Sequence, residues 1–333
     1  MISLKPYNTF GVEVFAEQML ELATVEDIVD YCKLAESSRR KFFVLGGGSN
    51  LLFVRDFNGD ILRITNRDIE VVKIEDDYVD VWVGAGFIWD EFVAWTTEHE
   101  LWGAELLSGI PGTVGAAPVQ NIGAYGAEAA DIVVRADTVC LGWWHEGVFL
   151  QKLSNSKLSF SYRTSYIKEA SHERYIVYGV VFRLSRYIPE DRSNFVRLGL
   201  TDADITPELV RNKVLEVRAS KLPHLSELGS AGSFFKNPMV DYLNLHRWQT
   251  YIEDIPFYPQ GADLVKVPAG WIIEHCGWKG YREGQVGVYP KHSLILVNYG
   301  GATGLEILDL SFRIAEDVRK KLGVRLKPEV EVV

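Results

Sequence analysis

Apolar and polar positions change register several times along this chain, and each change marks an element. Residues 24–38 carry helical spacing: Ile28, Tyr31 and Ala35 fall on one face, Thr24 stands where a cap is needed, and Asp27 supports the first turn. The run Lys41-Phe42-Phe43-Val44-Leu45 then reads as a buried strand. Residues 60–65, 69–75 and 78–83 read as short strands. The last two are rich in β-branched residues and flank a polar Asp76-Asp77 turn, which predicts a hairpin. Helical spacing returns over 87–99, with Phe92 and Trp95 on the apolar side, and strands follow near 132–143 and 175–184. Runs of strands with few helices point to an α+β arrangement, not to regular βαβ winding.

Residues 185–204 are polar and broken, and the domain boundary is placed there. Beyond it, 206–220 reads as a helix with Thr206 as cap, Pro207 at the first helical position and Glu208 just inside. Helices are also expected over 239–253 and 268–276, and strands over 286–289 and 293–298. The charge-rich segment 303–322 is a strong helix, closed by Gly323. The last residues, 327–333, alternate like a strand, with Pro328 stiffening the position before Glu329. No internal repeat or low-complexity segment is present.

One stretch fits neither period. Residues 108–126 hold five glycines, two prolines and three alanines. Glycine lets another group come close to the backbone, and a long run of small residues is costly to order. A flat or extended ligand held by backbone N–H groups gives a reason to order it; a tight series of turns is the plainer alternative. A second cluster, Gly46-Gly47-Gly48-Ser49-Asn50, follows the strand ending at Leu45. It is neither the GxGxxG fingerprint nor the GxxxxGK[ST] loop. Two close-approach loops in one domain suit a large cofactor with a pyrophosphate in its middle.

The chain is long enough for two domains with substantial cores at 333 residues. Its net charge of -10 argues against a general nucleic-acid or anionic-membrane binder, but local Arg and Lys side chains can still dominate a cleft. Cys32, Cys140 and Cys276 are far apart, with neither a disulfide framework nor metal-ligand spacing, so no metal is expected. No run approaches a membrane span and the amino-terminal residues have no apolar core of a signal peptide; a cytoplasmic protein is the expectation.

Three places could carry chemistry. Arg163, inside Ser159-Phe160-Ser161-Tyr162-Arg163-Thr164-Ser165, could clamp a carboxylate or phosphate, or sit in an ordinary surface ion pair. Ser233, within Gly229-Ser230-Ala231-Gly232-Ser233-Phe234-Phe235-Lys236-Asn237-Pro238, is sterically open while two phenylalanines can anchor its segment. A hydroxyl so held can donate a proton to a reacting carbon, whereas the absence of a GxSxG elbow speaks against a hydrolase serine. Glu329 near the C-terminus could act as an acid or orient one; an exposed edge-strand glutamate is the plainer alternative.

Taken together these stretches resemble the UDP-N-acetylenolpyruvoylglucosamine reductase family, flavoenzymes of bacterial cell-wall precursor synthesis. The resemblance is carried, in order, by Asn8-Thr9-Phe10, residues 44–50, 108–126, Tyr162-Arg163, Lys221-Leu222-Pro223, 229–238 and Pro328-Glu329. Tyr258-Pro259-Gln260 and Ala269-Gly270-Trp271-Ile272-Ile273 look like the longer of the family's two types. It implies an α+β chain with three parts. An FAD-binding domain of the vanillyl-alcohol-oxidase (PCMH) type spans 1–190, in two α/β subdomains split near residue 66. An α+β substrate-binding domain spans 205–322. A C-terminal strand, 323–333, returns to the active site.

The resemblance further implies non-covalent FAD, reduced by NADPH, which in turn reduces the enolpyruvyl group of UDP-N-acetylglucosamine enolpyruvate. Ser233 would protonate the carbon next to the one receiving hydride, while Arg163 and Glu329 stabilise the intermediate; the glutamate suits this only in its acid form, which needs burial. Cofactor contacts would come from Gly46, Gly47, Gly48, Ser49, Asn50, Ser108, Ile110, Pro111, Gly115, Asn121, Ile122, Gly123, Gly126 and Arg163. Lys221, Asn237, Tyr258 and Lys279 would contact the sugar nucleotide. A monomer is expected, with no nucleic-acid or membrane partner. Two departures stand out. The longer type's substrate-closing tyrosine falls near Asn194-Phe195 here, with only Tyr187 nearby, and His292 sits where a glutamine is common. Two other readings remain: an alcohol-oxidising flavoenzyme of the same fold, which does not require Ser233, Arg163 and Glu329 together, and a colourless nucleotide-sugar-binding protein.

Overall fold

The computed structural model describes residues 1–142, 147–170, 175–201 and 205–333. The predicted strand end at Trp143 and the last residues of the broken 185–204 segment lie outside them. By internal contacts the chain forms two compact units, one of residues 1–2, 16–47 and 58–220, the other of 3–15, 48–57 and 221–333.

The first unit is built on an antiparallel sheet. Its strands run in the order Val148–Ser154, Val133–Leu141, Tyr175–Ser185, Tyr78–Gly84, Ile69–Ile74. The hairpin expected at Asp76-Asp77 is the last pair. One face buries Val79, Val81, Val83 and Phe182 against Trp89 and Phe92 of the helix Trp89–Glu98. Phe92 and Phe182 rings lie 4.7 Å apart, a pairing that adds about 1 kcal/mol beyond area burial.

A second layer forms from the helix Val25–Ser38. Thr24 and Asp27 cap it reciprocally, as the sequence predicts. Its Ile28, Tyr31, Cys32 and Ala35 pack on Leu62, Val139 and Ile176. The strand Phe42–Val44 pairs in parallel with Phe57–Ile64, and Leu45 N–H donates to Leu62 O at 2.8 Å. That bond fixes where the strand stops and the glycine cluster begins. Among the strands that escape the sequence reading, the two longest are Phe15–Leu22 and Val148–Ser154. In the first, Phe-Ala-Glu-Gln-Met-Leu-Glu-Leu lacks β-branched residues and buries only Ala16 and Leu22.

The helix Pro207–Lys221 belongs to the first unit up to Ser220, because Val210 and Val214 pack with Trp102, Leu106 and Phe195. By contacts the break therefore falls after Ser220 and not within 190–205.

In the second unit, Arg282–Glu283, Val286–Val288 and Leu296–Asn298 form one antiparallel sheet, and Met239–Asp241, Leu264–Lys266 and Tyr258–Gln260 another. The expected helix over 303–322 runs Gly304–Leu322, with Thr303 as its cap, and Gly323 ends it at φ +72°. One expected helix is shorter. Residues 239–241 are a strand, and the helix runs Tyr242–Gln249, because the Asp241 carboxylate accepts Asn244 N–H at 2.7 Å and starts it there. The chain end is tied down: Glu331–Val332 pairs in parallel with Leu51–Leu52, and Val54 N–H donates to Val333 O at 3.0 Å.

Candidate active site

The two glycine stretches meet inside the first unit. A Cβ on Gly47 would lie 2.6 Å from Gly112 Cα, and one on Gly46 3.0 Å from Thr113 Oγ1. Backbone thus lies on backbone, an approach only glycine allows. The N–H groups of Gly46, Gly47, Gly112 and Thr113 donate to no described residue. N–H groups left without a protein acceptor on two adjoining loops can serve anionic oxygens.

Residues 108–126 are less irregular than expected. They include a 3-10 turn, Val114–Ala116, a single helical turn, Ala117–Gln120, and a hairpin of Gly123–Ala124 with Ala127–Glu128. The stretch is pinned along its length. Trp89 N–H donates to Gly112 O (3.1 Å), Val114 N–H to Phe87 O (2.9 Å) and Gly115 N–H to Ala85 O (2.9 Å). Ser108 and Asn121 are fully buried, so they organise the loop and do not line its surface. Ser108 Oγ donates to Glu105 O at 2.6 Å.

Asn121 links this loop to Arg163. At φ +48°, its Nδ2 donates to Ser161 O (3.0 Å) and Glu128 Oε2 (2.8 Å), and its Oδ1 accepts Ala130 N–H (3.0 Å). Ser161 and Thr164 exchange two backbone bonds of 3.1 Å, closing a turn in which Arg163 has φ +58°. Such a conformation costs a non-glycine residue of order 1–3 kcal/mol and persists only where its surroundings impose it. The guanidinium donates to Gly123 O and Asn121 O and lies 3.6 Å from Glu128 Oε1. Its side chain is 16% exposed, so the ordinary surface ion pair does not describe it.

Ser233, Glu329 and Asn50 come together in the second unit. The Ser233 segment lies between two others: Phe234 N–H donates to Leu294 O (2.8 Å), and Glu329 N–H donates to Phe234 O (2.8 Å). Phe234 and Phe235 are buried, edge to face at 5.2 Å, and anchor the segment as the sequence suggests. The half-buried Ser233 hydroxyl makes no hydrogen bond to any described residue. Asn50 holds the final strand from the other end: its O accepts Glu331 N–H (3.0 Å) and its Nδ2 donates to Glu329 O (3.3 Å). Gly48, at φ +62°, is packed so tightly on Tyr7 that a Cβ would lie 2.0 Å from its carbonyl oxygen. The Asn8-Thr9-Phe10 motif meets the Ser233 segment too, since Ser230 N–H donates to Thr9 O at 2.9 Å.

The expected sugar-nucleotide contacts divide. Asn237 Oδ1 accepts Ala269 N–H at 2.9 Å, so that oxygen already starts the helix Ala269–His275. Tyr258 is exposed on the strand Tyr258–Gln260. Lys279 Nζ meets Glu274 Oε1 at 2.8 Å, and Glu274 Oε2 accepts Ser293 Oγ at 3.4 Å. His292 lies in the field of Lys221, Lys279 and Glu274, and its Nδ1 accepts Leu294 N–H at 3.3 Å. Burial, then the two lysines, push its pKa below the ordinary 6.5. At the expected closing-tyrosine position, Phe195 is buried 5.9 Å from the Trp102 ring, a core residue and no lid; Tyr187 is exposed.

The sequence reading passes over Gln120. Lys168 donates to its Oε1, while its buried Nε2 has no acceptor among the described residues. Gln120 and Asn121 together break the apolar run of this stretch, and that pair was the available signal. Unpaired N–H groups, an open glycine surface and an orphaned amide donor suit a dinucleotide with a diphosphate and a polar ring edge.

These features define a nucleotide-binding flavoprotein, and the FAD binding domain family matches residues 16–141. The C-terminal domain of UDP-N-acetylenolpyruvoylglucosamine reductase matches 223–333. The reductase of that name from Pseudomonas aeruginosa is 41% identical over 98% of this chain and 96% of its own length. That from Flavobacterium johnsoniae is 37% identical over 99% and 98%. A crystal structure of the reductase from Thermus caldophilus superposes with TM-score 0.65 at 25% identity, covering 99% of this chain and 97% of its own. The chain belongs to the UDP-N-acetylenolpyruvoylglucosamine reductase family and is an FAD-containing oxidoreductase.

Two expectations follow. Gly47→Ala should purify with little flavin yet keep wild-type circular dichroism, since its Cβ enters the loop contact; a normal ratio of flavin to protein absorbance would contradict this. Because the folded His292 titrates below 6.5, the unfolded chain binds its proton more readily. Stability from this group is complete above about pH 6.5 and falls as pH drops through that value toward the folded pKa. His292→Gln should therefore gain on the wild type in denaturation midpoint between about pH 7.5 and 5.5; a constant gap would refute it.

Proposed function

We propose that the chain reduces UDP-N-acetylglucosamine enolpyruvate with NADPH in peptidoglycan precursor synthesis. FAD, when bound, takes the reducing equivalents from NADPH and supplies hydride to the enolpyruvyl CH2 carbon. Everything else falls to side chains. Ser233 delivers a proton to the adjacent carbon. Arg163 stabilises the charge that gathers on that carbon and its carboxylate, and Glu329 supports it through its acid form. Lys221 and Lys279 offer charge to the diphosphate, with Asn237 and Tyr258 beside them in the substrate contacts.

The observation that carries this reading is the Ser233 hydroxyl. It stands on a segment fixed on both sides and anchored by two buried phenylalanines, yet its own donor is uncommitted. A proton donor needs that combination of rigid position and available O–H. The half-buried Arg163 supports it: a guanidinium held by carbonyl oxygens has a fixed aim.

The half-reactions separate the roles. Ser233→Ala should leave flavin reduction by NADPH near normal and slow reoxidation by the enolpyruvyl sugar nucleotide by about 10²–10⁴-fold, followed by stopped-flow absorbance. Equal slowing of both halves would remove Ser233 from proton transfer.

A further inference from the structure

Arg218 has a place in the first unit that no residue there accounts for. It lies on the helix Pro207–Lys221, about two turns beyond Arg211. Arg211 is fully used: its Nη1 and Nη2 meet the Asp90 carboxylate at 2.6 and 2.8 Å. Asp90 also accepts Gly109 N–H at 2.5 Å, so its two oxygens already hold three donors. Arg218 makes no hydrogen bond or ion pair with any described residue. Its stem presses on the glycine stretch: a Cβ on Gly109 would lie 3.2 Å from Arg218 Cδ and 3.0 Å from Nε. Gly109 itself has φ +70°. Tyr125, at φ +52° in the same stretch, and Asp90 act on Arg218 only through space.

A partly buried, unpaired guanidinium is expensive, and a folded protein keeps one where an anion offsets the cost. Burial lowers its pKa, which agrees with a charge short of counter-charge. Gly109 is three residues from Gly112, where the two glycine loops touch and their N–H groups have no acceptor among the described residues. A planar fork of donors beside such N–H groups matches a phosphate.

We infer that Arg218 is a ligand-binding residue whose guanidinium takes a phosphate oxygen of a dinucleotide lying along residues 109–113. The inference rests on the reading of this unit as dinucleotide-binding. FAD is the first source of that phosphate and NADPH the second.

The test uses the full chain stripped of flavin, as wild type, Arg218→Met and Arg218→Lys, titrated with FAD and with riboflavin, which has no phosphate. Loss of one charge-assisted bond should weaken FAD about ten- to a hundredfold in Arg218→Met, less in Arg218→Lys, and leave riboflavin unchanged. The flavin-free Arg218→Met protein should melt no lower than wild type, because no internal partner is lost, while its rise in melting temperature with FAD shrinks. Unchanged FAD affinity with a tenfold higher KM for NADPH would support the same phosphate contact with the second source. FAD, NADPH and sugar-nucleotide constants all within twofold of wild type would overturn the inference. So would parallel weakening of FAD and riboflavin with a lower melting temperature, which would make Arg218 structural. If wild type binds neither FAD nor riboflavin, the dinucleotide reading of the unit falls, and the inference with it.

Discussion

Gly47 and Gly112 touch backbone to backbone, and the first unit is arranged around keeping that contact open. A Cβ on Gly47 would come within 2.6 Å of the other chain segment, so nothing larger than glycine fits. The strand Phe42–Val44 brings one loop to the contact, and the bonds from Trp89, Val114 and Gly115 hold the other against the sheet. What remains is a set of N–H groups with no protein acceptor. Backbone donors without a protein acceptor on two adjoining loops are available to anionic oxygens of a ligand.

Order in the second unit has a different source. Ser233 and Glu329, for which we propose catalytic roles, sit on short segments whose bonds go to neighbours far away in sequence. The Ser233 segment is held by 294–298 and by 327–329, and the last strand is held by Asn50 and Leu51–Leu52. Glu329 therefore has the fixity of a strand, although it lies four residues from the chain end. Positioning by cross-strand bonds of this kind suits the proton delivery proposed for Ser233.

Much of this was legible in the sequence where one residue type has one physical use. The glycine clusters signalled close approach, Thr24 and Thr303 signalled helix starts, and Gly323 signalled an end; all of these stand in the structure. Ser233 between glycine and phenylalanine was legible as an open hydroxyl on an anchored segment. Other features depend on partners that no local pattern names. Asn121 lay in the glycine stretch, but its buried role as the link to Ser161 needs the fold. The helix over 206–220 was legible, but nothing in the sequence singles out Arg218; only the fold brings Gly109 against it. The strand Phe15–Leu22 is made of residues that favour helices and only pairing reveals it. Asp241 stops the predicted longer helix by starting a shorter one.

Amide hydrogen exchange of the flavin-free chain, with and without FAD, tests the glycine-loop claim most directly. The account predicts that FAD slows exchange at Gly46, Gly47, Gly112 and Thr113, while Val114 and Gly115, already bonded to Phe87 and Ala85, change little. Unchanged exchange at those four amides, with protection by FAD appearing elsewhere in the chain, would contradict it.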